Sequence, residues 1–262
     1  RLIGQEALAA DLVNAARAAR GLAARLEETD LGAVSMFAEA DEAGDDGAGF
    51  VDPLTAGTVP AGSAMTHSWL FTGPPGSGRS VAAACFAAAL QCTSPDEIGC
   101  GECRACTTVL AGTHGDVRHI APEGLSISVL KIREIVRIAA RRPTTGRWQI
   151  VIVENADRLS EAGSNALLKA VEEPPERTVF LLCAPSVAPE DVSVTIRSRC
   201  RHVALTAPNA EAIAEVLVDR DGIDPDQARW AAGVAGGHVG RARRLATDEQ
   251  ARAQREQALR LA

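Results

Sequence analysis

Residues 69–91 constrain the fold most strongly. The apolar run Trp69-Leu70-Phe71-Thr72 leads into Gly73-Pro74-Pro75-Gly76-Ser77-Gly78-Arg79-Ser80, and an alanine-rich stretch continues to Gln91. Strand, glycine loop and helix in that order form the context of the phosphate-binding loop G-x-x-x-x-G-K-[S/T]. In that loop backbone N–H groups cradle phosphates, the lysine reaches the β/γ-phosphates and the hydroxyl holds Mg²⁺. Every position fits except one, where Arg79 stands in place of lysine. Gly73, Gly76, Gly78, Arg79 and Ser80 are therefore the candidate nucleotide-binding residues.

The rest of the chain alternates in the same sense. Asp116–Ala121, Gln149–Val153, Thr178–Cys183 and His202–Leu205 read as strands. Ser126–Arg142 reads as a helix, with Ile132, Ile135, Val136 and Ala139 on one face, and Glu161–Glu173 as another, stopped by Pro174-Pro175. Continuously apolar strands separated by helices imply an α/β fold, a parallel sheet covered on both faces. From Pro208 onward only helical patterns occur, at 209–220, 225–235 and 239–246. Ahead of the loop, Ile3–Leu26 reads as an amphipathic helix. Glu27–Ser63, with Glu39, Asp41, Glu42, Asp45, Asp46 and many glycines, reads as a flexible acidic insertion. The expected organisation is a core at 1–207 carrying the insertion at 27–63, a helical lid at 208–246, and a linker or the start of a further helix at 247–262. The chain opens on Arg1, not Met, which suggests part of a longer polypeptide.

A chain of 262 residues with 46% hydrophobic content can fill one large or two smaller cores. No apolar run is long enough to span a bilayer and no secretory pattern is present, so a cytoplasmic protein without a membrane partner is expected. A net charge of −7 argues against a freestanding nucleic-acid binder, although a local basic face remains compatible with it. Of seven cysteines, four follow the spacing Cys92-x7-Cys100-x2-Cys103-x2-Cys106. Two C-x-x-C steps sharing Cys103, with a thiol upstream, can place four thiolates tetrahedrally around Zn²⁺, and Gly99 and Gly101 permit the tight turns of such a knuckle at 92–106. All-cysteine ligation favours a closed structural site over a catalytic one. Four unrelated thiols and an iron–sulfur cluster are the other readings of the same residues. Cys85, Cys183 and Cys200 read as ordinary buried residues.

Phosphate loop, cysteine knuckle and second nucleotide motif, in that order, resemble the clamp-loader subunits of bacterial DNA polymerase III, a family comprising the γ/τ ATPases and the δ′ subunit. Three stretches extend the resemblance over nearly the whole chain. These are Arg1-Leu2-Ile3-Gly4-Gln5, the run Ser164-Asn165-Ala166-Leu167-Leu168-Lys169-Ala170-Val171-Glu172-Glu173-Pro174-Pro175, and Thr195-Ile196-Arg197-Ser198-Arg199-Cys200. The resemblance implies an AAA+ core with a helical lid and, in the family, a collar domain after it. It also implies a role in loading the sliding clamp onto primed DNA, with γ/τ and δ subunits, the clamp and primer-template DNA as partners in the bacterial replisome.

Departures from the family pattern narrow the member. The second motif should end in Asp-Glu, the Asp for Mg²⁺ and the Glu for water. Here Ile150-Val151-Ile152-Val153 is followed by Glu154-Asn155, which leaves Glu154 as a residual metal contact and no base. Arg79 keeps the charge of lysine but not its compact geometry. Cys183-Ala184-Pro185 stands where a polar sensor is expected, and Gly240, next to Arg241, where ATP-hydrolysing relatives carry a sensing arginine. Together these imply the member without ATPase activity. ATP or ADP could still occupy the loop through its N–H groups. By the same resemblance, Arg199 is the finger that reaches a neighbour's ATP; an arginine paired locally is the alternative. An active γ/τ-type ATPase and a zinc-stabilised interaction module are the rival functions.

Arg133, Arg137 and Arg141, with Lys131, Arg142 and Arg147 nearby and only Glu134 opposing, form either a phosphate-contacting row or a solvated face. Trp69 and Trp148 read as core. His114, His119 and His238 lack ligand-like spacing, and Asp157 reads as a cap or loop residue.

Overall fold

The computed structural model describes residues 5–39 and 65–260. Helix α1 spans Glu6–Glu39. Strand β1 (Ser68–Thr72) leads through the glycine loop into α2 (Arg79–Gln91), and α3 (Arg104–Leu110) follows the cysteine cluster. Then come β2 (Val117–Ile120), α4 (Val129–Ala139), β3 (Gln149–Val153), α5 (Glu161–Glu172), β4 (Thr178–Ala184), α6 (Val194–Arg197) and β5 (Arg201–Ala204). Four helices close the described chain: α7 (Ala210–Asp219), α8 (Pro225–Val234), α9 (Val239–Thr247) and α10 (Glu249–Arg260).

The five strands form one sheet in the order β2-β3-β4-β1-β5, with every pairing parallel. In β1, β3 and β4 every residue is buried, as continuous apolar runs in a two-sided sheet require. Strand periodicity divides each run between two cores. Trp69, Phe71, Ile150, Ile152, Leu181 and Cys183 face a cluster built with α1 and α2. Leu70, Val151, Val153, Phe180 and Leu182 face the opposite cluster, built with α4 and α5 through Ile132, Ile135 and Leu167. Trp69 and Trp148 are buried core residues, and the Trp69 ring packs edge-on against Phe86.

Helices α7–α10 enclose a third core containing Ile213, Leu217, Ala231, Ala232, Ala242 and Leu245. Side chains start three of them: Asn209 accepts from Ala212 N–H, Asp224 from Gln227 N–H, and His238 Nδ1 from Arg241 N–H. Residues 249–260 are helical and supply Ala251 to this same core.

Two helices differ most from the sequence reading. The acidic insertion expected from Glu27 does not begin there, because α1 continues to Glu39. The segment 27–39 holds three Glu, two Ala, one Leu and one Met, good helix formers, and one internal glycine, at about 1 kcal/mol, does not end the helix. The rest of that insertion, 40–63, and the opening Arg1-Leu2-Ile3-Gly4 lie outside the described residues. Helix α4 is also shorter than Ser126–Arg142. Ser128 caps its start by accepting from Lys131 N–H, and it ends at Ala139.

A buried carboxylate ties the turn before β3 to the sheet. Asp116 accepts from the N–H groups of Thr144, Thr145 and Gly146 at 2.9, 2.6 and 2.7 Å. Burial opposes its charge, but these donors outweigh burial and hold the carboxyl below the usual range. A carboxyl depressed in the folded state contributes stability above its unfolded pKa of about 3.9, and that contribution disappears as pH falls through the folded value. Denaturation midpoints should therefore drop below about pH 4. Asp116→Asn should cost about 1–3 kcal/mol at neutral pH and flatten the acid limb. An unaltered acid limb in that variant would refute the assignment.

Candidate functional site

The loop between β1 and α2 opens at the C-terminal edge of the sheet, where parallel α/β folds place ligands. Gly73 N–H donates to Pro185 O at 3.2 Å, tying the loop to the end of β4. Gly78 is the N-cap of α2, and Arg79 and Ser80 are its first two residues, both half-buried. Gly76 cannot be replaced without displacing its neighbour. Its φ is 86°, and a Cβ there would lie 2.6 Å from His238 Cα. His238, the cap of α9, thus packs directly on the loop, a contact that sequence spacing did not reveal.

Arg79 does not extend as a phosphate-reaching lysine would. Its Nη1 donates to Gly73 O at 2.9 Å, so the guanidinium folds back onto the loop. Glu154, at the end of β3, has its Oε1 2.9 Å from His119 Nε2 on β2. Asn155 follows with φ of 51°, a left-handed conformation that asparagine tolerates, and starts the short 3-10 helix Ala156–Arg158 containing Asp157. Cys183 on β4 lies among these groups. Burial pushes its thiol up to about 12, the Glu154 charge adds to the rise, and Arg79 opposes it. The structure therefore brings the predicted loop residues and Glu154 together at one edge. The two polar side chains best placed for nucleotide chemistry, Arg79 and Glu154, each have a partner within the chain. At the second motif, the neutral amide of Asn155 cannot take a proton from water.

The four cysteines converge. Cys92 is the C-cap of α2 and Cys103 the N-cap of α3. Their four Sγ atoms lie within 4.8 Å of one another. Cys92 and Cys100 Sγ are 3.8 Å apart, which is the edge of a tetrahedron with metal–sulfur bonds of about 2.3 Å. An iron–sulfur cluster would hold its cysteine sulfurs further apart, so the arrangement suits a single ion. Gly99 and Gly101 take φ of 77° and 79°, the turns expected of them. Cys103 Sγ and Cys100 Sγ accept from the N–H groups two C-x-x-C steps supply, Cys106 at 3.5 Å and Cys103 at 3.4 Å. Burial raises the Cys106 thiol. At Cys103 burial again opposes the charge, but the Cys106 and Thr93 donors outweigh it and bring the thiol down to about 5. The knuckle is clamped from two sides, since Arg20 Nη2 and Arg147 Nη1 both donate to Cys92 O, at 2.9 and 2.7 Å. Arg147 is therefore turned inward and does not join the basic row. Arg133, Arg137 and Arg141 are exposed, the first two on α4 and the third beyond its end.

Arg199 lies in the turn after α6. Its Nη1 donates to Thr195 O at 3.1 Å, and its Nη2 is 2.7 Å from Glu172 Oε1 at the end of α5. Cys200 beside it is pushed up to about 12 by burial, the behaviour of an inert packed thiol. Sequence reasoning placed Arg199 but not its partner. Two distant segments meet there, and neither motif names the other.

Among the described residues no helix is long and apolar enough to cross a membrane. Residues 60–209 match the family described as DNA polymerase III, delta subunit. A DNA polymerase III subunit delta′ from Pseudomonas aeruginosa is 38% identical over 154 residues, 58% of this chain and 46% of that protein. The subunit delta′ of Haemophilus influenzae is 33% identical, over 60% of this chain and 48% of that one. A gamma/tau subunit from Mycobacterium tuberculosis is 32% identical over 63% of this chain and 29% of its own length. The chain thus spans about half the length of the delta′ relatives it matches. A gamma subunit-related protein from Thermotoga maritima superposes with a TM-score of 0.44 at 24% identity, over 64% of this chain and 53% of that one. With more than half of its residues inside the family match, the chain belongs to the DNA polymerase III delta′ clamp-loader family.

Proposed function

We propose that this chain serves as a delta′-type subunit of a bacterial clamp loader, supplying structure and an arginine to an ATP site that it does not itself contain. The observation that carries the reading is the contrast between two sites. At its own loop the water-activating position is Asn155, Glu154 is engaged by His119, and Arg79 is folded onto Gly73 O. At 198–200 the Ser-Arg-Cys turn is intact and presents Arg199 at the surface. The proposed organisation is an AAA+ core at 1–207 and a lid at 208–246. ATP is bound and hydrolysed by γ/τ-type neighbours, and Arg199 reaches that neighbour's γ-phosphate. The cysteine knuckle holds one structural Zn²⁺. The exposed row Arg133, Arg137 and Arg141 contributes phosphate contacts to primer-template DNA within the assembly. The whole complex, with a delta subunit and the sliding clamp, works in the bacterial cytoplasm.

The test is turnover by the purified chain alone, followed by reconstitution with γ/τ and delta. The isolated chain should hydrolyse no ATP above background, and Ser80→Ala should change nothing. Hydrolysis abolished by Ser80→Ala would instead establish a γ/τ-type ATPase, and failure to co-assemble would point to an interaction module outside replication.

A further inference from the structure

Arg199 is held by three contacts within its own chain. Nη1 donates to the Thr195 carbonyl at 3.1 Å and to Ser198 Oγ at 3.3 Å, while Nη2 meets Glu172 Oε1 at 2.7 Å. The Thr195 anchor is local, part of the same α6 turn. The Glu172 anchor is not: it comes from the last residue of α5, directly ahead of the Glu173-Pro174-Pro175 break that ends the helix.

The placement of Glu172 is poor for α5 itself. A helix C-terminus carries partial negative charge and favours cations there, so an acid in the last turn opposes the dipole. The pair is also a weak contributor to stability. The two side chains are 40% and 35% exposed, and ion pairs at that exposure are screened by water and salt. What the carboxylate does supply is direction. An arginine side chain has many rotamers, and a guanidinium fixed in advance loses less freedom when it engages an anion.

We propose that Glu172 is a positioning residue for Arg199. It holds the guanidinium in the orientation that a neighbouring subunit's nucleotide meets on docking, so that the triphosphate encounters an aligned donor fork. This rests on the reading of Arg199 as a finger acting on the next subunit. On this arrangement α5 and the Ser-Arg-Cys turn, already packed together through Ile196 and Val171, form one functional unit coupled through the Glu172 carboxylate.

The experiment uses the reconstituted loader and ATP, with Glu172→Gln, Arg199→Ala and the double variant. Glu172→Gln should lower kcat about tenfold, the order of loss expected when an aligned group is loosened. KM for ATP and co-assembly should stay unchanged, and Glu172→Gln should cause no additional loss in the Arg199→Ala background. Glu172→Lys, which repels the guanidinium, should lower kcat further. A normal melting profile for all three single variants establishes that the effect is not misfolding. If Arg199→Ala slows turnover while Glu172→Gln leaves it unchanged or raises it, positioning by Glu172 is refuted and the finger stands. An equal loss with and without Arg199 would assign Glu172 a purely structural role. If Arg199→Ala itself has no effect, both readings fall.

Discussion

Arg199→Ala is expected to lower ATP turnover by the assembled complex about 10³-fold, the lower end of what an arginine supplied to a phosphoryl-transfer site contributes. The expectation follows from where the charge sits. Arg199 is surface-accessible, its Nη1 is on a backbone carbonyl and its Nη2 on Glu172. Both Nη atoms are engaged at an exposed position, so meeting a phosphate exchanges these contacts for it at the surface. Assembly itself should survive, because the lost contact is a partly exposed ion pair contributing at most about 1 kcal/mol. Arg199→Lys should restore little of the rate, since an ammonium replaces a planar fork with a point charge. Steady-state hydrolysis in the presence of clamp and primed DNA, read against gel-filtration evidence of assembly, measures both. Turnover equal to that of the unaltered complex would reject the role.

Cys106→Ser should be the most destabilising single change, by about 4 kcal/mol or more, the range reserved for loss of a metal site or disruption of a core. Cys106 is fully buried. Its Sγ contacts Ala88 O at 3.4 Å, against the C-terminal half of α2. The substitution removes one of the four converging thiols and leaves a harder, smaller hydroxyl in a buried wall. Metal analysis of the unaltered protein should return about one Zn²⁺ per chain. A strong chelator should lower its melting temperature and leave the Cys106→Ser variant unaffected. Cys85→Ser, on α2 but outside the cluster, is the control and should cost about 1 kcal/mol or less. Protein that purifies without metal, or melts identically with chelator, would remove zinc from the account.

The strands and the glycine loop between β1 and α2 were legible because their signals are local. A run such as Gln149–Val153 is apolar throughout, and only a strand buried on both faces accommodates it. The cysteine spacing was equally local, and its convergence within 4.8 Å follows from two short turns. Other features were not local. The acidic, glycine-rich and aperiodic composition of 27–63 taken together suggested a break at Glu27, where α1 instead runs on to Glu39. Arg147, counted with a basic row on sequence proximity, turns instead to the Cys92 carbonyl. The pairs His119–Glu154 and Arg199–Glu172, and the seating of His238 on Gly76, join separate elements through side chains. Such contacts depend on sheet order and on where helices α7–α10 sit, which no window of sequence encodes.

Helix α2 has a further consequence. Its first turn carries the glycine loop, and its C-cap is Cys92, a member of the sulfur cluster whose carbonyl receives two guanidinium groups. Thirteen helical residues make a strut of about 20 Å. Fastened at both ends, the strut has little room to tilt or slide alone. The glycine loop and the four cysteines are therefore two ends of one rigid body, so a change that loosens the sulfur cluster should be felt at the loop.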